Sequence, residues 1–142
     1  MLELQTLSDR LEIDDLLTTY TMAVDDGDWD ALDRVFTPDA HIDYSATGGA
    51  AGPFPEVKRW LVETLPMFSG MQHFITQKRV ELDGDQARVR AYFLNPLVLD
   101  REDGSRWYLE VGGIYLHSLV RTSGGWRSER LVEELLWDRR SD

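Results

Sequence analysis

In the first third of the chain, apolar residues recur at Ile13, Leu16, Leu17, Tyr20, Ala23 and Val24, the spacing of one helical face. Thr6 followed three residues later by Asp9 predicts a capping box near the start of this helix. Gly27 predicts a left-handed cap at its end. Asp28 then predicts the cap of a second helix carrying Trp29, Leu32, Val35 and Phe36, which Thr37-Pro38-Asp39 breaks. A short strand, Ala40 to Tyr44, and a loop of small residues, Ser45 to Pro53, follow. Pro55 suits the first turn of a third helix whose stripe is Val57, Trp60, Leu61 and Leu65, and Pro66 ends it.

The second half reads as strands over residues 70–82, 86–99, 106–121 and 126–138. They are separated by Asp83-Gly84-Asp85, by Arg101 to Ser105 and by Ser123-Gly124-Gly125. Long runs joined by turns predict an antiparallel meander. Helices first and strands afterwards give an α+β class rather than a parallel α/β one. The expected architecture has N-terminal helices packed on the concave face of a highly curved antiparallel or mixed sheet. That is a cone-shaped half-barrel with one pocket at its open end. The longest strand carries Trp107, Leu109, Val111, Tyr115 and Leu119 in one set and Tyr108, Ile114, Leu116 and Val120 in the other. A half-solvated sheet alternates more cleanly. A second copy of the chain is therefore expected over the outer face, making a homo-oligomer, a dimer or trimer.

A length of 142 residues suits one domain, 1–142, and 42% apolar content allows a core with a pocket inside it. Fifteen basic against 26 acidic residues leave a formal charge of −11. Such a surface repels phosphate backbones and anionic headgroups, so neither nucleic acid nor a membrane is an expected partner. With no cysteine in the chain, disulfides, thiolate nucleophiles and cysteine-ligated metals are excluded. No basic-then-apolar leader and no apolar run of about 20 residues is present, and the expected location is the cytoplasm.

Asp25 ends the first helix, where negative charge opposes the helix macrodipole, so a compensating role is expected. His73 shares period-two parity with Met71 and Ile75, an apolar set that points it inward. A carboxylate beside an imidazole fixes the tautomer of the ring and raises its basicity, and such a dyad needs no metal or cofactor. Tyr20, on the inward stripe of the first helix, and Tyr44, ending the first strand, are candidate hydrogen-bond donors to a developing oxyanion. Asp26, Asp28 and Asp30 begin like a calcium loop, but Ala31 and Thr37 stand where that loop needs Gly and Glu. His41 and Asp43 lack a third ligand, and Gly48-Gly49-Ala50-Ala51-Gly52 lacks the Lys-Ser/Thr of a phosphate loop.

Several segments resemble the SnoaL-like family of the scytalone dehydratase type, within the nuclear-transport-factor-like fold. They are Leu11-Glu12-Ile13-Asp14-Asp15-Leu16, Asp25 through Asp30, Phe36-Thr37-Pro38-Asp39-Ala40 with Ile42-Asp43-Tyr44, Gln72-His73-Phe74 and Gly125-Trp126-Arg127. The resemblance implies a catalytic Asp–His pair at Asp25 and His73, a tyrosine at Tyr44, and a further one at Tyr20. The chain departs from scytalone dehydratase at Val24, where that enzyme carries a tyrosine. It departs again on the strand over 106–121, where Glu110 or Gly112 stands in place of a second histidine.

Together these features predict a cofactor-free dehydratase or lyase acting on a small hydrophobic ring substrate, steroid-like or aromatic-polyketide-like. Trp29, Trp60, Met71, Phe74 and Tyr115 are expected to line its pocket. An isomerase of the ketosteroid type is the nearest variant, and a small-molecule-binding or accessory domain the reading from another class.

Overall fold

A computed structural model describes residues 1–142. Helix α1 spans Leu4–Asp26, a 3₁₀ helix Trp29–Arg34, and helix α2 Phe54–Thr64. The strands are β1 (Phe36–Asp43), β2 (Ala51–Pro53), β3 (Gly70–Met71), β4 (Phe74–Asp83), β5 (Gln86–Asp100), β6 (Arg106–Thr122) and β7 (Gly125–Arg140). They form one sheet in the order β2-β1-β7-β6-β5-β3, with β4 also pairing β5. The meander β4–β7 is antiparallel, whereas β1 joins β7 in parallel. The sheet is therefore mixed and curved, and it does not close into a barrel. No helix is long and apolar enough to cross a membrane.

The stripe Ile13, Leu16, Leu17, Tyr20, Ala23 and Val24 is buried as its spacing predicts. Gly27, at φ 66°, ends α1 with the Asp28 and Gly27 amides donating to the Ala23 and Val24 carbonyls, a Schellman arrangement. The predicted capping box does not form. Helix α1 starts earlier, at Leu4, and Asp9 is committed elsewhere. Asp9 is only 5% exposed and takes a fork from Arg121 of β6, with Nη1 and Nη2 at 2.7 and 3.0 Å. It also accepts from the indole Nε1 of Trp126 in β7 at 3.1 Å and from Gln5 at 3.1 Å. This knot ties the first half of α1 to the turn between the last two strands.

Three further expectations are corrected. The second helix is a single 3₁₀ segment, and Phe36 begins a strand instead of ending a helix. Thr37-Pro38-Asp39 lies within β1, where the pairing with β7 shifts register between Phe36 and His41. An irregular stretch of strand tolerates a proline that lacks an N–H. The predicted strand over residues 70–82 is broken at Gln72 and His73, which belong to neither β3 nor β4.

The two sets of side chains along β6 divide as inner and outer faces. Leu109, Val111, Tyr115 and Leu119 join the core, while Trp107 does not. Beside them on the inner face stand Phe93 of β5 and the helical stripes, with the Phe93 and Tyr115 rings stacked at 4.2 Å. Gly112 and Gly113 sit where β7 carries an extra residue opposite β6. A side chain at Gly113 would overlap the Glu134 carbonyl oxygen and sit 2.8 Å from the Phe93 ring. One at Gly112 would overlap the Trp137 indole on the outer face.

Candidate active site

The break between β3 and β4 creates the centre of the site. The Gln72 amide still donates to the Pro96 carbonyl of β5 at 3.1 Å, but the His73 amide turns away from the sheet. It donates to the Asp25 carboxylate, at 2.9 Å to Oδ2 and 3.1 Å to Oδ1. The His73 ring nitrogen Nδ1 lies 2.6 Å from Asp25 Oδ1. A carboxylate only accepts hydrogen bonds. Nδ1 therefore carries the hydrogen, and Nε2 is left as the basic nitrogen of the neutral ring. Both side chains are largely enclosed, His73 at 10% and Asp25 at 20% exposure. The unfavourable placement of Asp25 at the end of α1 is thus offset by two N–H donors from one residue.

His73 lines a cavity of about 200 Å³ between α1, α2 and the inner sheet face. The apolar wall includes Val24, Trp60, Leu61, Leu65, Leu97 and Val111. The Tyr20 and Tyr44 hydroxyls meet at 2.6 Å in this wall. Burial raises both phenols, and that of Tyr115, well above their ordinary value, so all three stay protonated donors. Gly49 closes the rim. A Cβ there would stand 2.7 Å from the Tyr44 Cβ and 3.0 Å from Trp60, so only glycine lets the loop lie against the wall.

Of the expected site residues, Asp25 and His73 meet, Tyr20 and Tyr44 meet, and Trp60 and Tyr115 line the cavity. Trp29, Met71 and Phe74 do not line it. Trp29 and Met71 pack partly buried against the core. Phe74, first residue of β4 after the kink, is 39% exposed on the opposite parity from His73. Met71 keeps the inward parity it shares with His73 but packs on the core, and Phe74, of the other parity, faces out.

Two polar groups were missed. Asn95 of β5 and Glu133 of β7 both line the cavity, at 5% and 7% exposure. Asn95 Nδ2 donates to the Tyr115 hydroxyl at 2.9 Å, and Asn95 Oδ1 has no partner. Glu133 accepts from the Thr47 hydroxyl, and burial pushes its carboxyl up to about 7. Each could have been found from parity. Asn95 alternates with Phe93 and Leu97, and Glu133 with Leu131, all inward residues.

Neither Glu110 nor Gly112 reaches the cavity. Glu110 pairs with Arg139 at 2.7 Å, and Gly112 underlies Trp137. The histidine that β6 does carry, His117, is sealed in the core with Nδ1 2.9 Å from Ser128 Oγ. Burial depresses it to about 3, which keeps it neutral.

Residues 5–132 match the SnoaL-like domain family. A Mycobacterium tuberculosis protein of uncharacterized function is 44% identical over 135 residues, covering 94% of this chain and 89% of its own. A solved structure from Novosphingobium aromaticivorans, assigned provisionally as an aromatic ring hydroxylase, is 32% identical. It superposes with a TM-score of 0.83 over 95% of this chain and 93% of that one. Hexachlorocyclohexane dehydrochlorinase from Novosphingobium barchaimii is 20% identical with a TM-score of 0.80, over 97% and 93% of the two chains, a likeness of fold alone.

Proposed function

We propose that this chain, which belongs to the SnoaL-like domain family and has the nuclear-transport-factor-like fold, is a cofactor-independent lyase acting on a small hydrophobic ring substrate. The family and its structural neighbours support small-molecule processing. The observation that carries the finer reading is the 2.6 Å contact between Asp25 and the Nδ1 of a histidine that lines an apolar cavity. Only Nε2 of that histidine is left to act on a ligand, and Asp25 stabilises the imidazolium that forms when it takes a proton.

The reaction follows from these groups. Nε2 removes a proton from a carbon next to a carbonyl. The electron pair of the broken C–H bond moves into an enolate, whose oxygen receives hydrogen bonds from Tyr20 or Tyr44. Collapse of the enolate forms the ring double bond and breaks the C–O bond to a hydroxyl group. The imidazolium returns its proton to that hydroxyl, which leaves as water. Return of the same proton to a different carbon, with no bond to oxygen broken, gives the isomerase variant, and product mass separates the two.

Cavity size narrows the substrate. An engineered cavity of about 150 Å³ takes benzene. A volume of about 200 Å³ suits a substituted single ring or a compact fused pair, and a four-ring steroid would project through the mouth. The reading places the protein in the cytoplasm, as a homo-oligomer with a second copy on the outer sheet face. On that face Tyr92, Tyr108 and Trp137 are 41%, 49% and 46% exposed, beside the buried Ile114. A monomeric mass by light scattering at micromolar concentration would refute the oligomer.

The experiment is a screen of monocyclic and bicyclic hydroxy-ketones for loss of water, read by mass spectrometry, with wild type and His73→Ala. Turnover in wild type that falls by at least 10²-fold in His73→Ala, with circular dichroism unchanged, is expected. A mutant as active as wild type refutes the dyad. Tight ligand binding without turnover, insensitive to His73→Ala, moves the chain to the binding-module reading.

A further inference from the structure

The polar lining of the cavity comes from neighbouring strands in spatial order. His73 precedes β4, Asn95 is in β5, Tyr115 in β6 and Glu133 in β7, and each of these strands pairs with the next. Residue 73 stands opposite Asn95, since Phe74 pairs Leu94, whereas Glu133 pairs Tyr115, which pairs Ala91, four residues along β5 from Asn95. His73 and Glu133 therefore serve opposite ends of whatever occupies the cavity. The lining contains no Lys or Arg, so a negatively charged ligand would find no counter-ion there. It does contain two buried groups that a ligand can reach: Asn95 Oδ1, an acceptor with no partner, and Glu133, which accepts from the Thr47 hydroxyl and lies by that of Tyr115. A buried unpartnered polar atom is costly, and one that faces a cavity is offset when a ligand supplies the missing partner.

We infer that Glu133, acting as a neutral carboxylic acid, recognises an oxygen at the end of the substrate remote from His73, and that Asn95 recognises a second oxygen on the His73 side. The carboxylic acid donates to a carbonyl oxygen, and Asn95 Oδ1 accepts from a hydroxyl. The assignment rests on the cavity being the substrate site, and it narrows the substrate to an uncharged oxygenated ring compound. Glu133 is a specificity-determining residue in this scheme, while the proton abstraction belongs to His73.

The surroundings set the protonation of Glu133. Desolvation favours the neutral acid, and Asp43 on β1 adds like charge, whereas the Thr47 and Tyr115 hydroxyls favour the anion. Tyr20 of α1 and Tyr44 after β1 also face it and stay neutral through the working range. The acid form, and with it ketone binding, is present below a midpoint at about 7 and lost above it.

The test is calorimetric titration with 1-tetralone, a bicyclic ketone with no ionisable group, from pH 5 to pH 9. Wild type is expected to bind about tenfold more weakly at pH 9 than at pH 5, as a donor is replaced by an anion facing the carbonyl. Glu133→Gln, whose amide still donates, is expected to bind at the low-pH affinity throughout. Thr47→Val, at an exposed position, removes a contact that favours the anion and is expected to move the midpoint upward. The same series in His73→Ala removes the imidazole and is expected to keep the pH dependence, so the outcome is separate from that of the dyad. A flat wild-type profile, a slope that persists in Glu133→Gln or disappears in His73→Ala, or no binding at millimolar tetralone overturns the assignment. So does a negatively charged ring, 2-naphthoate, binding as tightly as tetralone at pH 8.

Discussion

Replacing Asp9 by Asn removes the anion from the knot that joins α1 to β6 and β7. Arg121, above all, holds the Asp9 carboxyl down to about 2 from an ordinary value of 3.8, against the cost of its burial. At about 1.36 kcal/mol per pH unit, the difference corresponds to about 2.5 kcal/mol. Solvent reduces that figure, because the Arg121 side chain is 30% exposed even though that of Asp9 is only 7% exposed. The amide keeps one acceptor for the Trp126 indole but loses the charge that the guanidinium fork grips. The expected loss at pH 7 is therefore about 1.5–2 kcal/mol, or about 5 °C in Tm for a domain of this size. The folded pKa is depressed, so this stability is fully present above pH 4 and is lost as pH falls toward 2. Urea unfolding of wild type and Asp9→Asn, followed by tryptophan fluorescence at pH 7, 4, 3 and 2, measures both the size and the slope. A difference below about 0.5 kcal/mol at pH 7, or one that stays constant down to pH 2, refutes the reasoning.

Gly113→Ala places a methyl group on the Glu134 carbonyl oxygen and 2.8 Å from the Phe93 ring. It is expected to cost about 3 kcal/mol in thermal or urea unfolding, as overpacking against backbone does. Tyr44→Phe removes the 2.6 Å contact with the Tyr20 hydroxyl. It is expected to cost about 1 kcal/mol of stability and, once a substrate is in hand, to lower kcat more than it raises KM, because the lost donor serves the enolate.

Much of this was legible because local signals and tertiary demands agree. Gly27 ends α1 where a left-handed residue is needed, and the turns at Gly84 and at Gly124-Gly125 separate strands where the sequence predicts them. Asp25, His73, Tyr20 and Tyr44 were legible as types in a pattern, but not as neighbours, since 48 residues separate the two members of the first pair. Illegibility arose where tertiary contacts overrule local rules. Asp9 looks like a capping residue and is instead claimed by Arg121 and Trp126, 112 and 117 residues away. Phe74 was expected in the pocket beside His73 although period-two parity turns it outward, and Met71, of the inward parity, packs on the core outside the cavity lining. Glu133 sits in the run Glu133-Glu134, which reads as a solvated acidic surface until β6 shows which of the two faces inward.

The grip on the Asp25 carboxylate has a consequence of a different kind. Two of its three contacts come from the main-chain amide of residue 73, not from the imidazole. The carboxylate therefore keeps its place beside residue 73 whatever side chain occupies that position. Residue 73 behaves as an interchangeable socket with a built-in anion. Truncating it to alanine leaves a vacancy that free imidazole can fill, and a lysine or an unnatural heteroaromatic side chain grafted there inherits an already positioned counter-charge.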